Sequence, residues 1–182
     1  MIYFVRHGQT YDNANKILQG DGPLNELGVS QAKNAGILLK DIKFDICFCS
    51  PMLRTRQTLD QIIVYHENLK VIYDERLIER KYGDVVGRKY DTVVNLDKRW
   101  YASTKYENNI ETVDEIYDRV ASFYDDIKEE YKDKTVLIVS HSGVGRVTNA
   151  YFNGKPNNGD YTGFKVKNAE VVKFDWRETC EK

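Results

Sequence analysis

The 182-residue chain has little cysteine, little proline, few histidines and no surplus of either charge. Its three cysteines, Cys47, Cys49 and Cys180, are odd in number and lack framework spacing. That argues against a disulfide-stapled secreted domain and for a reducing, cytoplasmic compartment. Twenty-seven Lys+Arg against 28 Asp+Glu leave a formal charge of −1. No whole-chain positive field attracts nucleic acid. No apolar run approaches the roughly 20 residues that span a bilayer, so no membrane association is expected. Met1 to Val5 reaches Arg6 and His7 too soon for a secretory signal. There is no G-x-x-x-x-G-K-[ST] loop. Gly143-Val144-Gly145 lacks the third glycine of a dinucleotide fingerprint, because Thr148 stands there. No His/Cys cluster has zinc spacing, and Cys47 and Cys49 read as small core residues on one face of a strand. Neither a metal nor a cofactor is expected.

What is present is a soluble globular composition, 41% hydrophobic and 30% charged, in a chain the size of one domain. Short apolar runs alternate with amphipathic ones. Ile2–Val5, Asp45–Cys49, Leu69–Tyr73 and Thr135–Ser140 read as buried strands. Asn25 is the expected N-cap of a helix from Glu26 to about Lys40. Ser50-Pro51 reads as N-cap and first position of a helix running through Leu59 and Ile63. Thr112-x-x-Glu115 is a capping box ahead of a long helix whose stripe includes Ile116, Val120, Tyr124 and Ile127. Another helix starts near Gly143, and 162–176 suggests one or two closing strands. The pattern predicts an α/β fold, a three-layer α/β/α sandwich with a mostly parallel central sheet. A stretch at about 88–110 fits neither element type. It carries five Lys/Arg, three acids and four aromatics, and reads as a lid-like insert.

Ligands of such sheets sit beyond the carboxyl ends of the strands. Three ends are unusual. The first strand runs into Arg6-His7-Gly8, the second into Ser50-Pro51 with Arg54 and Arg56 just inside a helix, and the fourth into Ser140-His141-Ser142-Gly143. Arginines in a first helical turn oppose the macrodipole at a cost of about 0.3–1 kcal/mol each, so an arginine placed there often serves an anion. Arg54 lies nearer the strand end; Arg56 is the one expected to point away. Arg6, His7, Arg54, His141 and the amides near Gly143 together would make a phosphate cradle.

These residues carry a resemblance. Val5-Arg6-His7-Gly8-Gln9-Thr10 with Asn13 is similar to the opening signature of the histidine phosphatase superfamily, the phosphoglycerate mutase-like fold. Pro23-Leu24, Gly28 and Gln31-Ala32, then Ser50-Pro51-Met52-Leu53-Arg54-Thr55-Arg56, then Leu77-Ile78-Glu79 with Tyr82-Gly83, then Val139-Ser140-His141-Ser142-Gly143-Val144 with Arg146, resemble its later motifs in order. The resemblance runs to Asn168-Ala169 and implies a single domain over 1–182. There are departures: Ser142 stands where the family commonly has glycine, Cys49 where it has serine, and Ile110-Glu111-Thr112 where it often has Gly-Glu-Ser.

The resemblance implies that His7 is the nucleophile, that Arg6, Arg54 and a cationic His141 hold the transferred phosphoryl group, and that Glu79 is the proton donor. Asn13 and the backbone amide of Ser142 are expected at the phosphate, with Tyr82, Arg88 and Lys89 as further substrate contacts. The implied activity is that of a phosphatase acting without metal on a small phosphorylated metabolite, through a phosphohistidine. The main alternative is a phosphoglycerate mutase dependent on 2,3-bisphosphoglycerate, because Glu79-Arg80-Lys81-Tyr82-Gly83 resembles the mutase form of its motif. An inactive phosphoryl-binding protein is the third reading, opposed by the complete set of His7, Arg6, Arg54, Glu79 and His141. The substrate and the oligomeric state are not readable from the sequence.

Overall fold

The computed structural model describes residues 1–18, 20–94, 96–98, 100–102, 104 and 109–176. Arg99, Lys105, Tyr106 and Glu107 of the insert, and Cys180, lie outside the described residues. Five strands form one sheet: β1 (Ile2–Arg6), β2 (Ile46–Cys49), β3 (Val71–Tyr73), β4 (Val136–Ser140) and β5 (Val171–Phe174). Their order is β3-β2-β4-β1-β5, parallel throughout except for β5, which runs antiparallel along β1 at the edge. The helices are α1 (Tyr11–Ala14), α2 (Glu26–Leu39), α3 (Leu53–Ile63), α4 (Val113–Tyr131) and α5 (Ser142–Asn153).

The period of two along each strand builds the layers. Ile2, Phe4, Ile46, Phe48, Val136 and Ile138 point to one face, where they pack with Val120, Phe123 and Tyr124 of α4 and Val144 and Val147 of α5. Val5, Cys47, Cys49, Leu137 and Val139 point to the other, against Ala35 and Leu39 of α2 and Leu59 and Ile62 of α3. Burying each large apolar side chain contributes roughly 1.5–3 kcal/mol, so the apolar runs read from the sequence become a two-sided core. Cys47 and Cys49 are core residues, and burial pushes the Cys49 thiol up to about 12. Both stay protonated thiols at neutral pH.

Two caps form as the sequence predicts. The Asn25 side chain accepts from the Gly28 amide, and Thr112 and Glu115 close a capping box on α4. The cap of α3 does not. That helix begins at Leu53 with Met52 as N-cap and no side-chain cap bond. The Ser50 hydroxyl is instead 2.8 Å from His141 Nε2, and Thr55 Oγ1 takes over the turn by donating to the Ser50 and Met52 carbonyls. Tertiary contact between strand ends outweighs the local signal. The tail supplies one closing strand, β5.

The insert holds only short 3₁₀ turns among its described residues, at Tyr90–Thr92 and Leu96–Lys98. It is nevertheless tied to the body. Leu96 and Ile110 share a small cluster with Leu18, Tyr82 and Val85. The Tyr90 amide donates to the Lys16 carbonyl, the Tyr161 amide to the Trp100 carbonyl and the Ala102 amide to the Gly159 carbonyl.

Candidate active site

Parallel pairing brings the two strand-end histidines together. Arg6 of β1 lies opposite Ser140 of β4, so His7 and His141 emerge at the same level, with ring centroids 5.1 Å apart. Both are fully buried, as is Arg54. The loop after β1 is seated by close backbone contact. A Cβ on Gly8 would lie 2.3 Å from the Gly28 carbonyl oxygen, which only glycine avoids. The Gly8 amide donates to Thr58 Oγ1 of α3.

The His7 tautomer follows from its partners. Nδ1 lies 2.6 Å from the Gly8 carbonyl, an acceptor, so Nδ1 carries the proton. Nε2 receives Arg54 Nε–H at 3.3 Å, so it presents a lone pair. Burial, then the positive fields of Arg54 and Arg6, hold the His7 pKa well below its ordinary value. The ring is neutral and nucleophilic at physiological pH. The sequence expectation makes His141 a cation beside the transferred phosphoryl group, and its state before binding is set by its surroundings. Burial, Arg54, His7 and Arg6 hold it far below its ordinary value too, so it is a neutral ring in the free protein. Its Nδ1, like Arg6 Nε, is buried with no hydrogen-bond partner among the described residues.

Above these groups opens a cleft of about 400 Å³, lined by Arg6, Gln9, Asn13, Lys16, Glu79, Tyr82, Tyr90, Trp100, Ser142, Gly143, Arg146, Lys165 and Asn168. Arg6 is held by the Val166 carbonyl, and Asn168 bridges the His7 carbonyl and Asn13 Oδ1. Glu79 Oε1 accepts from its neighbour's amide, Arg80 N–H, at 2.8 Å and from Gly143 N–H at 3.1 Å. One of the free amides at the start of α5 is thus spent on the carboxylate. A Cβ at Gly143 would lie 2.2 Å from Glu79 Oε1 and 2.8 Å from the Trp100 ring, so only glycine lets them approach. The guanidiniums of Arg80 and Arg146 both lie 5.0 Å from the Trp100 centroid, a cation–π arrangement that fixes the ring at the cleft wall.

The sequence reading thus places Arg6, Asn13, Glu79, Tyr82 and Ser142 on the cleft, and His7, Arg54 and His141 beneath it. It misplaces two. Arg88 is exposed and donates to the Thr92 carbonyl; Lys89 is exposed, and neither lines the cleft. Their backbone is consumed in pairing with Ile17 and Leu18, which turns the side chains outward. Lys16 and Lys165 stand there instead. No local pattern marks them, because loop crossings bring them in. Arg56, expected to point away, lies over the Tyr73 ring at 5.7 Å. Among the described residues, no group of three His, Cys, Asp or Glu could hold a metal ion, and no helix is long and apolar enough to cross a membrane.

A parallel sheet with buried histidine at two adjacent strand ends, arginines around them and a carboxylate across the cleft defines a phosphoryl-handling site. The chain belongs to the histidine phosphatase superfamily, branch 1, whose sequence profile matches residues 2–182. It is 35% identical over 161 residues to the fructose-2,6-bisphosphatase TIGAR of Xenopus tropicalis, covering 82% of this chain and 58% of that protein. It is 34% identical over 146 residues to the uncharacterized phosphatase PhoE of Bacillus subtilis, covering 77% of this chain and 70% of the other. The solved structure of YhfR from Bacillus stearothermophilus superposes with a TM-score of 0.84 at 25% identity, over 93% of this chain and 88% of that one. Against the TIGAR proteins of Xenopus tropicalis and Bos taurus, the chain spans 58% and 33% of their length.

Proposed function

We propose that the protein is a metal-independent phosphomonoester hydrolase that works through phospho-His7 on a small phosphorylated metabolite. The observation that carries this reading is the His7 ring. It is neutral, with its proton fixed on Nδ1 by the Gly8 carbonyl and its Nε2 lone pair turned toward Arg54.

In the first step the Nε2 pair forms a bond to phosphorus while the P–O bond to the leaving group breaks. Arg54 exchanges its bond to Nε2 for one to a phosphoryl oxygen, and Arg6 takes another. The loose transition state spreads charge over the equatorial oxygens, so oriented cations supply most of the stabilisation. The positive charge that develops on the His7 ring is borne through Nδ1–H by the Gly8 carbonyl. Protonated Glu79 gives its proton to the departing alkoxide. In the second step water attacks phosphorus and its proton passes to Glu79. The N–P bond then breaks, returning its pair to Nε2 and releasing inorganic phosphate. Lys16, Lys165, Tyr90 and Trp100 form the wall that the alcohol portion meets.

The mutase reading would require the dephosphorylated intermediate to be held and reoriented with water kept out. Lys16 and Lys165, which line the cleft, are exposed among the described residues, and Arg88 and Lys89 do not line it, which favours water as the acceptor. One preparation tests both readings. It is assayed on a phosphomonoester panel including 3-phosphoglycerate, with and without 2,3-bisphosphoglycerate, before and after exhaustive EDTA treatment. Phosphate release is expected to exceed interconversion greatly and to survive EDTA. Primed interconversion with negligible phosphate release would make the protein a mutase, and loss on chelation would remove the metal-independent mechanism.

A further inference from the structure

Glu79 sits on an irregular segment after β3, yet general acid catalysis requires its carboxyl to be held within hydrogen-bond reach, about 2.6–3.2 Å, of the leaving oxygen. The Gly143 amide fixes its carboxylate at the cleft, but what holds its backbone lies outside the cleft. Arg119, on the second turn of α4, divides its three nitrogens between that segment and Glu111. Nε donates to Glu111 Oε1 at 2.6 Å and Nη2 to Glu111 Oε2 at 2.9 Å, a two-pronged ion pair. Nη1 donates to the Arg76 carbonyl at 2.7 Å and the Ile78 carbonyl at 3.0 Å, and Nη2 also to the Glu79 carbonyl at 3.2 Å.

Glu111 completes the clamp. Its carboxylate accepts from the Lys81 amide at 3.0 Å, and its own amide donates to the Lys81 carbonyl at 2.9 Å. Its carbonyl accepts Arg80 Nε at 2.6 Å. The segment is therefore gripped at 76, 78 and 79 by one side chain and at 80 and 81 by its partner. Glu111 is 8% exposed. Neither residue lines the cleft. An arginine that satisfies three carbonyls and a buried carboxylate cannot be replaced by lysine, whose single ammonium lacks the planar fork.

We infer that Arg119 and Glu111 are positioning residues for proton donation by Glu79, an assignment that rests on the hydrolase reading above. A general structural brace would, when removed, slow all substrates alike. A brace for the acid would slow only those whose leaving group needs a proton.

The test measures kcat and KM of Glu79→Gln, Arg119→Gln, Arg119→Lys, Glu111→Gln and the double variant E79Q/R119Q on an alkyl phosphate and on p-nitrophenyl phosphate, with melting temperature as the check on folding. Arg119→Gln is expected to lower kcat on the alkyl phosphate roughly 10- to 100-fold, a share of the 10²–10⁴ that general acid catalysis supplies. It should change kcat on p-nitrophenyl phosphate less than about threefold, with little effect on KM. Arg119→Lys and Glu111→Gln should fall between it and the wild type. The double variant should be no slower on the alkyl phosphate than Glu79→Gln alone, because the brace acts through the acid.

Equal losses on both substrates in Arg119→Gln, or multiplicative losses in the double variant, while Glu79→Gln remains selective, would overturn the inference and leave the hydrolase reading standing. Equal losses in Glu79→Gln itself would overturn both the acid assignment and this inference. Should Arg119→Gln not fold, the same comparison is read from Arg119→Lys and Glu111→Gln.

Discussion

The two halves of the cleft are built on different principles. The phosphoryl half consists of His7, Arg54 and His141, fully buried at the ends of β1 and β4 or in the first turn of α3. The substrate half consists of Lys16, Tyr90, Trp100 and Lys165, all on loops or irregular stretches. Strand pairing fixes the first half through a ladder that cannot slip by one residue without turning every core side chain outward. The second half is fixed by crossings of loops, each held by one or two backbone bonds, and tolerates change. On the hydrolase reading, chemistry rides on strand ends that sheet pairing fixes, and selectivity on loop residues, of which Trp100 is itself packed into the core.

The largest expected effect breaks the first half. His7→Ala should abolish turnover on every substrate together with formation of an acid-labile, alkali-stable phosphoenzyme. Persistent labelling in that variant would move the nucleophile elsewhere and undo the contrast.

A second experiment asks whether burial of that half sets the acid sensitivity of the fold. His7 and His141 have pKa values held well below the ordinary 6.5. In the unfolded chain both regain the ordinary value. Between the folded values and about 6.5 the unfolded state binds more protons, so stability rises with pH across that window. Their contribution is intact above about pH 6.5 and is lost as the pH falls. The slope is about 1.4 kcal/mol per pH unit for each histidine. Urea unfolding from pH 8 down to pH 5 should show this decline, and His7→Gln should make it shallower by about one proton's worth. A midpoint independent of pH in this range would mean that these rings are not held neutral.

The smallest effect lies in the second half. Lys16→Gln should raise KM roughly two- to fivefold for monoesters that carry a further anionic group, in keeping with the modest worth of an exposed charge pair. The kcat should stay within about twofold, and neutral-tailed monoesters should be unaffected. A fall in kcat across all substrates would place Lys16 with the phosphoryl half.

Glu79 stands between the two halves, which explains its separate support. It belongs to neither a strand end nor the insert. Its side chain is fixed by the Gly143 amide of α5, and its backbone by Arg119 of α4. An acid on a short irregular segment gains rigidity only from groups that come to it.

Much of this molecule was legible in the amino-acid order because its causes are local. Short continuous apolar runs determined the parallel strands, Asn25 and the Thr112–Glu115 pair set two helix starts, and strand-ending Arg6-His7-Gly8 and Ser140-His141-Ser142 marked the phosphoryl half. Residues bonded to near neighbours leave a pattern in one dimension. Only the tertiary structure decided the rest. Ser50, a cap by sequence, became a partner of His141 because parallel pairing set β2 beside β4. His141, read as a cation beside the transferred phosphoryl group, has its pKa held below the ordinary value in the free site because burial, and then the arginines, disfavour its charge. Arg88 and Lys89 turned away while Lys16 and Lys165 lined the cleft, and Arg119 reached the carbonyl of Glu79 from 40 positions along the chain. Such contacts are closed by the packing of distant segments, and burial, which sets both charge state and accessibility, is a property of the folded chain alone.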